Sequence, residues 1–404
     1  MSIPELLADR ERDGDVLAWR PELFRPGGED DRQRFERLLV SGRVREVCDT
    51  FAEQVTDLVA TLHPPLKGDR DQLARLSAEH LGGVEPWRAG TWVFYPWSGR
   101  LVHLLDRDDF RLLRTDRNRG KISREQQRSL AGRRIGVIGL SVGNSAALTL
   151  ATEGIATAFT LADFDTLALS NLNRLRAGVH ELGVNKTVIA ARQLFELDPY
   201  LDVDVYPDGL HDNNIKQFFL GGSGPIDLLV EECDEPRIKL AAREWARTCR
   251  IPVLMDTNDR GMLDIERFDL EPDRPLLHGV LGAIGSADLA DLSRAEVIDS
   301  VLKMIGEISP KLAASIPRIG VDLSSWPQLA SGVSLGGALV ADVARRVLLG
   351  ELRESGRFYV DLDLLIRDGA GIDSRADRLG AEGPGVSVLG DERRRDLGPH
   401  RPAE

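Results

Sequence analysis

From residue 134 onward, short apolar runs alternate with stretches in which apolar positions recur every three or four residues. The runs Arg134-Ile-Gly-Val-Ile, Ala158-Phe-Thr-Leu-Ala, Val203-Asp-Val-Tyr, Ile226-Asp-Leu-Leu-Val and Pro252-Val-Leu-Met predict five strands. Helices are predicted between them at 143–153, 186–197, 212–220 and 236–249. Gly154 ends the first helix, and Asp198-Pro199 stops the second. This alternation implies right-handed crossovers and a Rossmann-like α/β fold, a doubly wound and mostly parallel sheet. Beyond residue 260 the pattern loosens into an antiparallel strand over 262–270 and helices over 293–308 and 331–349, giving a partly antiparallel C-terminal part.

Residues 1–85 read as mostly helical with loops, and a helix over 44–62 is stopped by His63-Pro-Pro. Two aromatic-rich runs, 90–97 and 100–105, flank Ser98-Gly99 and predict a hairpin, so the N-terminal extension is α+β. Trp87, Trp92, Tyr95 and Trp97 read as core or interface residues, and no chemistry is assigned to this third of the chain. The expected division is an N-terminal domain over 1–110, an arginine-rich connector over 111–134 with a short helix at 123–131, and the alternating domain over 135–367. Residues 368–404, rich in Gly, Asp, Arg and Pro, read as a disordered tail.

The 404 residues are 42% hydrophobic and 29% charged, as in an ordinary globular protein, and no apolar run approaches a membrane span. The acidic N-terminus does not read as a secretory signal, and Cys48, Cys233 and Cys249 form no Cys-x-x-Cys pair. A cytoplasmic location without structural zinc or disulfides is expected. A net charge of −13 disfavours an extended nucleic-acid surface, which needs a basic face, and leaves only a local contact such as tRNA open. The arginines of 114–134 read as a solvated linker.

The first strand runs into Gly139-Leu-Ser141-Val-Gly143-Asn144-Ser145 and then a helix. Glycines at such a turn let backbone donors face phosphate oxygens. The loop is one residue shorter than Gly-x-Gly-x-x-Gly and has Ser141 at its centre. The same residues fit a Gly-x-Ser-x-Gly nucleophile elbow, for which Asp256 and His278 would complete a serine hydrolase triad. That reading is disfavoured because the turn follows the strand that opens the alternation. It also leaves the next cluster without a role.

That cluster is Asp163-Phe-Asp165, Ser170-Asn171-Leu-Asn173-Arg174, Lys186 and Cys233-Asp234. An acid about 20 residues past the glycine turn occupies the ribose-binding position of dinucleotide folds. A nicotinamide cofactor gives no role to the polar residues downstream. A nucleoside triphosphate does, since Arg174 and Lys186 supply cations and Asp234 can hold magnesium. All of these sit at carboxyl ends of predicted strands or in the loops after them.

The segment 163–174 resembles the signature of the ThiF/MoeB/ubiquitin-activating superfamily, Asp-x-Asp followed by Ser-Asn-Leu-x-Arg. Gly183 through Lys186, Leu197-Asp-Pro-Tyr and Cys233-Asp-Glu235 are similar to further family segments. The resemblance spans about 135–260. It implies that ATP and Mg2+ are bound and that a substrate oxygen attacks the α-phosphate, giving an adenylate and pyrophosphate. It further implies that Asp163 holds the ribose, that Asn171, Arg174 and Lys186 hold the phosphates, and that Asp234 binds the metal. Gly139, Ser141, Gly143, Asn144, Asp165 and Asn173 complete the nucleotide site. It implies a homodimer in which Arg117 or Arg119 reaches the partner's γ-phosphate.

Glu235 replaces the family's asparagine and is expected to add negative charge near the phosphates. No cysteine follows Cys249, which disfavours a thioester relay. The expected reaction is activation of a carboxylate or carbonyl oxygen on a peptide, small protein or small molecule. The alternatives are a degenerate nucleotide-binding module and the Ser141 hydrolase.

Overall fold

The computed structural model describes residues 18–368. The head of the N-terminal segment and residues 369–404 of the expected tail lie outside the described residues. In the N-terminal third, β1 (Glu22–Phe24), α1 (Glu29–Val40), β2 (Glu46–Asp49), α2 (Phe51–Leu62), α3 (Arg70–Leu81), β3 (Thr91–Tyr95) and β4 (Arg100–Leu104) build a four-stranded sheet of order β1-β3-β4-β2. The hairpin β3/β4 is antiparallel, as its pattern predicts. β1 and β2 are not expected from the pattern, and the helix read over 44–62 begins only at Phe51. The reason is Asp49: its carboxylate accepts the Phe51 N–H at 3.1 Å and lies 3.0 Å from His103 Nδ1, while 46–49 pair in parallel with β4. His103 is fully buried, stacked between Phe51 and Trp92 at 4.1 Å from each ring.

The connector holds α4 (Arg107–Arg114) and α5 (Arg124–Leu130), the latter opened by a capping box between Ser123 and Gln126. There follow β5 (Arg134–Ile138), α6 (Gly143–Glu153), β6 (Ala158–Ala162), α7 (Lys186–Leu197), β7 (Asp202–Tyr206), α8 (Ile215–Leu220), β8 (Leu228–Glu231), α9 (Pro236–Cys249), β9 (Val253–Thr257) and β10 (Met262–Glu266). α10 (Arg294–Ile305), α11 (Pro310–Ser315), α12 (Ala330–Leu348) and β11 (Gly356–Tyr359) complete this unit. A separate short unit begins at Asp361, whose carboxylate caps α13 (Leu362–Leu365).

The seven strands run β11-β10-β9-β8-β5-β6-β7, parallel from β9 to β7 and antiparallel at β10 and β11. This is the expected Rossmann-like architecture with a partly antiparallel end. Strand parity divides the core into two layers. Ile135, Val137, Phe159, Leu161, Leu228 and Val230 pack against α6, α7 and α12. Ile138, Ala162, Leu229 and Val253 pack against α8 and α9. Burial on both faces explains why these strands read as continuous apolar runs. The strand order reverses between β5 and β8, so the loops after those strands diverge there and leave a crevice at the carboxyl edge. No described helix is long and apolar enough to cross a membrane.

The connector is not a solvated linker. Arg111 and Arg114 pair with the buried Asp198 at 3.1 and 3.6 Å, and Arg114 donates to the carbonyls of Ala151 and Thr152 at the end of α6. Asn118 and Gln127 satisfy the Glu153 carbonyl beside them.

Candidate functional site

The crevice begins at Gly139, where φ is +83° and a Cβ would overlap the carbonyl oxygen of Glu232. At Gly143 a Cβ would lie 2.7 Å from Val137 Cγ1, so α6 starts hard against its strand only because this residue is glycine. Asn144, in the first turn of α6, is buried; its amide donates to Gln193 at 3.1 Å, and its Oδ1 has no partner among the described residues.

Asp163 fastens this loop to the end of β6. One carboxylate oxygen accepts the Leu140 N–H at 2.7 Å and the other accepts the Asp165 N–H at 2.8 Å. Burial pushes its pKa upward, and Lys186 opposes that shift. Lys186 opens α7 behind the Asn185 cap, and its buried ammonium lies 2.6 Å from Asp165 and 3.8 Å from Asp163. The two acids and the lysine therefore form one cluster.

The segment 168–174 folds as a tight turn in which Asn171 Oδ1 accepts the Ala168 N–H at 3.0 Å. Asn173 donates to the Gln328 carbonyl at 2.9 Å, which ties the turn to the loop before α12. Arg174 donates to Ser170 O and Asn173 Oδ1, while its buried Nε has no partner among the described residues. Burial pulls its pKa down and the charge of Asp234 pushes it back up, with no ion pair between the two.

Asp234 is exposed. The cap of α9 is its neighbour: Glu235 accepts the N–H groups of Arg237 at 3.1 Å and Ile238 at 2.8 Å. The carboxylate of Glu235 is therefore held at the helix terminus. Asp234 has no hydrogen-bond or ion-pair partner among the described residues.

Asp234 also lines a cavity of about 160 Å3 between the ends of β8 and β9 and the helices α10 and α11. Arg174 and Lys186 do not line this cavity: Lys186 sits with Asp163 and Asp165 beside the glycine loop, and Arg174 folds back on its own turn at Ser170 and Asn173. The cavity's inner wall carries two acids that sequence reasoning did not assemble. Glu232 accepts the Asp256 N–H at 2.8 Å, and the Asp256 carboxylate, 4% exposed, lies beside the Glu232 carboxyl and against Gly336 of α12, where a Cβ would overlap it. Burial raises the pKa of both, Glu232 well above the usual carboxylate range and Asp256 to about 7. Only the pairing of β8 with β9 brings them together.

Beneath that wall runs a buried ionic chain. Lys239 lies 2.8 Å from Glu231, Arg243 bridges Glu231 and Glu266, and Asp264 takes His278 at 3.0 Å and Arg357 at 2.6 Å. His278 points its other ring nitrogen at Arg274, at 3.2 Å, so the Ser141–His278–Asp256 triad is not assembled. Burial raises the Cys233 thiol well above its ordinary pKa, the opposite of an activated nucleophile. Within the chain, Arg117 and Arg119 do not reach the crevice. Arg119 pairs with Asp116 at 2.8 Å and lines a hollow beside Gly154, Thr157 and Asp198, at the amino ends of the strands.

A model of the ThiF family matches residues 115–306. The uncharacterized protein MT1398 of Mycobacterium tuberculosis (strain CDC 1551 / Oshkosh) is 41% identical over 342 residues, 84% of this chain and 45% of that protein. The tRNA threonylcarbamoyladenosine dehydratase of Escherichia coli (strain K12) is 29% identical over 130 residues, 32% of this chain and 47% of that protein. The chain thus spans less than half the length of either relative. Among solved structures, an E. coli tRNA N6-threonylcarbamoyladenosine dehydratase in complex with AMP aligns with a TM-score of 0.43 and 18% identity, covering 59% of this chain and 96% of that one. The Microcin C7 biosynthetic enzyme MccB in complex with N-formylated MccA aligns at 0.41 and 17%, covering 58% and 66%.

Proposed function

We propose, from the match of residues 115–306 to the ThiF family, that the chain is an ATP- and Mg2+-dependent adenylyltransferase acting on a carboxylate or carbonyl oxygen. The observation that carries the reading is the freedom of Asp234 among the described residues: Glu235 caps α9 in its place, and Asp234 stands exposed after β8, beside the point where the strand order reverses, with its charge felt by the half-buried Arg174. An uncommitted carboxylate beside an arginine with spare donors is the set that a metal-bound triphosphate requires.

ATP is the first substrate. Arg174 and Lys186 would neutralise phosphate charge, with Lys186 exchanging part of its contact with Asp165 for a phosphate oxygen. The N-terminus of α6, with Ser141 and Asn144, supplies donors from the glycine side. Asp163, both of whose oxygens are taken by backbone N–H groups, holds the loop that frames the nucleotide. Magnesium fits here because it takes one or two carboxylates and completes its shell with phosphate oxygens and water; Asp234 would hold it, and it would offset the charge of the pyrophosphate leaving group. A substrate oxygen attacks the α-phosphorus, and pyrophosphate departs with the bridging oxygen.

The partner in this reading is a second copy of the chain, whose Arg117 or Arg119 completes the γ-phosphate contacts. The other substrate is a carboxylate-bearing peptide, small protein or small molecule. The half-buried Cys233, whose thiol desolvation raises well above its ordinary value, is no activated nucleophile, which favours direct capture of the adenylate over a thioester relay through it. Calorimetry with ATP, with and without Mg2+, tests the reading: saturable binding that Mg2+ strengthens and Asp234→Ala removes is expected. Binding that ignores Mg2+ and Asp234 overturns the metal assignment. Failure to bind ATP at all overturns the whole reading.

A further inference from the structure

The cavity beside Asp234 is aliphatic on the side away from the sheet. Val301 and Ile305 of α10, Ile308 after it and Leu312 of α11 line it and are only half-buried, and Trp326 beside them is 38% exposed. Positions 301 and 305 lie one turn apart, so α10 turns one aliphatic face to the space. Apolar side chains that keep accessible surface around a cavity gain when an apolar group displaces the water from it.

The charged residues of the same cavity are engaged within the chain, Asp234 excepted. Lys239 is held by Glu231 at 2.8 Å, Asp259 accepts the Ser309 hydroxyl at 2.6 Å, and Glu232 and Asp256 are closed on one another and against Gly336. The adenylation reading gives Asp234 to the metal. No cation that lines the cavity is left to receive an acidic group, and Asp234 and Asp259 would repel one. At about 160 Å3 the cavity is smaller than the ~300–1,000 Å3 of sites that take a whole drug-sized ligand. It therefore holds one group of a larger molecule, and it is too small for a helix or strand of a partner protein.

We propose that this cavity receives the aliphatic group of the acid that the chain adenylates, so that the substrate is a monocarboxylate with an apolar chain or side chain. The reaction rests on the adenylation reading; the apolar preference of the cavity does not. In the step, a carboxylate oxygen bonds to the α-phosphorus of ATP, the bond from that phosphorus to the bridging oxygen breaks, and pyrophosphate leaves with the electron pair. No proton is transferred. An alkyl group in the cavity holds the acid without drawing on the cations that the phosphates need.

Titrating the full chain with ethanol, 1-butanol and 1-hexanol, without nucleotide, reads the cavity. ATP–pyrophosphate exchange with acetate, hexanoate and adipate reads the substrate. Saturable alcohol binding that tightens about fourfold per methylene is expected, as is exchange with hexanoate at a kcat/KM at least tenfold above acetate or adipate. Leu312→Trp, which fills the cavity, should weaken hexanol binding and raise the KM for hexanoate at least tenfold, with ATP affinity unchanged. Should that variant fail to fold, Val301→Phe must show the same effects. No gain with chain length, equal exchange with adipate, an unaltered KM in both variants, or no hexanoate-dependent exchange in a chain that binds ATP would each overturn the proposal. A chain that binds hexanol but not ATP upholds the cavity's preference and overturns the adenylation reading. One that binds ATP but not hexanol overturns this proposal alone.

Discussion

Asp163 accepts the backbone N–H of Leu140 at 2.7 Å, a side chain at the end of β6 holding the glycine turn that follows β5. Its second oxygen holds Asp165, whose own carboxylate holds Lys186. One acid therefore sets both the shape of the turn and the position of the lysine. Asp163→Ala leaves two N–H groups unmatched and is expected to cost about 1–3 kcal/mol of stability, together with most ATP affinity. Asp163→Asn, which keeps one acceptor, should fall between the two. Thermal melting alongside nucleotide titration checks this, and an alanine variant with unchanged melting and unchanged binding refutes the clamp.

Adjacent acids are expected to separate cleanly by function. Asp234→Ala removes an exposed carboxylate that caps nothing, so stability should change by no more than about 0.5 kcal/mol while Mg2+-dependent turnover is lost. Glu235→Ala removes the cap of α9 and should cost about 1 kcal/mol while leaving turnover within a few-fold. Parallel melting and ATP–pyrophosphate exchange on the two variants would expose a reversed assignment.

The parallel strands were legible because burial on both faces writes them as unbroken apolar runs, and Gly139, Asp163, Arg174, Lys186 and Asp234 were legible because they cluster at the ends of those runs. What stayed hidden depends on pairing between distant segments. β2, Glu46-Val-Cys-Asp, sits at a sheet edge with mostly exposed side chains, so neither period marks it. Glu232 and Asp256 look like ordinary strand-end acids until the β8–β9 register aligns Val230 with Leu254 and carries both to one wall. Arg111 and Arg114 read as linker residues because their partner, Asp198, lies far along the chain.

The ionic chain under the cavity should dominate acid stability. Arg243 is fully buried between Glu231 and Glu266, and Arg243→Met would leave Glu266 without its cation and Glu231 with Lys239 alone, at a cost of roughly 3–5 kcal/mol. Lys239 and Arg243 hold Glu231 down at about 2, below its ordinary value of 4.5. A depressed folded pKa contributes stability that is complete above 4.5 and lost as pH falls toward 2. Denaturant midpoints for the parent and Glu231→Gln should therefore converge as pH is lowered through that window. A constant gap between them would contradict the role given to the ion pairs.

Asp256 should behave in the opposite sense. Burial raises it from 3.8 to about 7, with Glu232 beside it raised as well. Between those two pH values the unfolded chain has released the proton while the folded chain retains it, so stability declines as pH rises through the window, by about 1.4 kcal/mol per unit at the steepest. Above 7 both states are ionised and the penalty is constant. Asp256→Asn has no such proton, and its amide offers Glu232 a donor. The variant should thus gain on the parent steadily from pH 4 to pH 7, by a few kcal/mol in all, and hold that lead at higher pH. Melting temperatures across pH 4–9 read this directly. A lead that is flat with pH would mean Asp256 titrates as an exposed acid, and the burial of the Glu232–Asp256 pair would not govern its protonation.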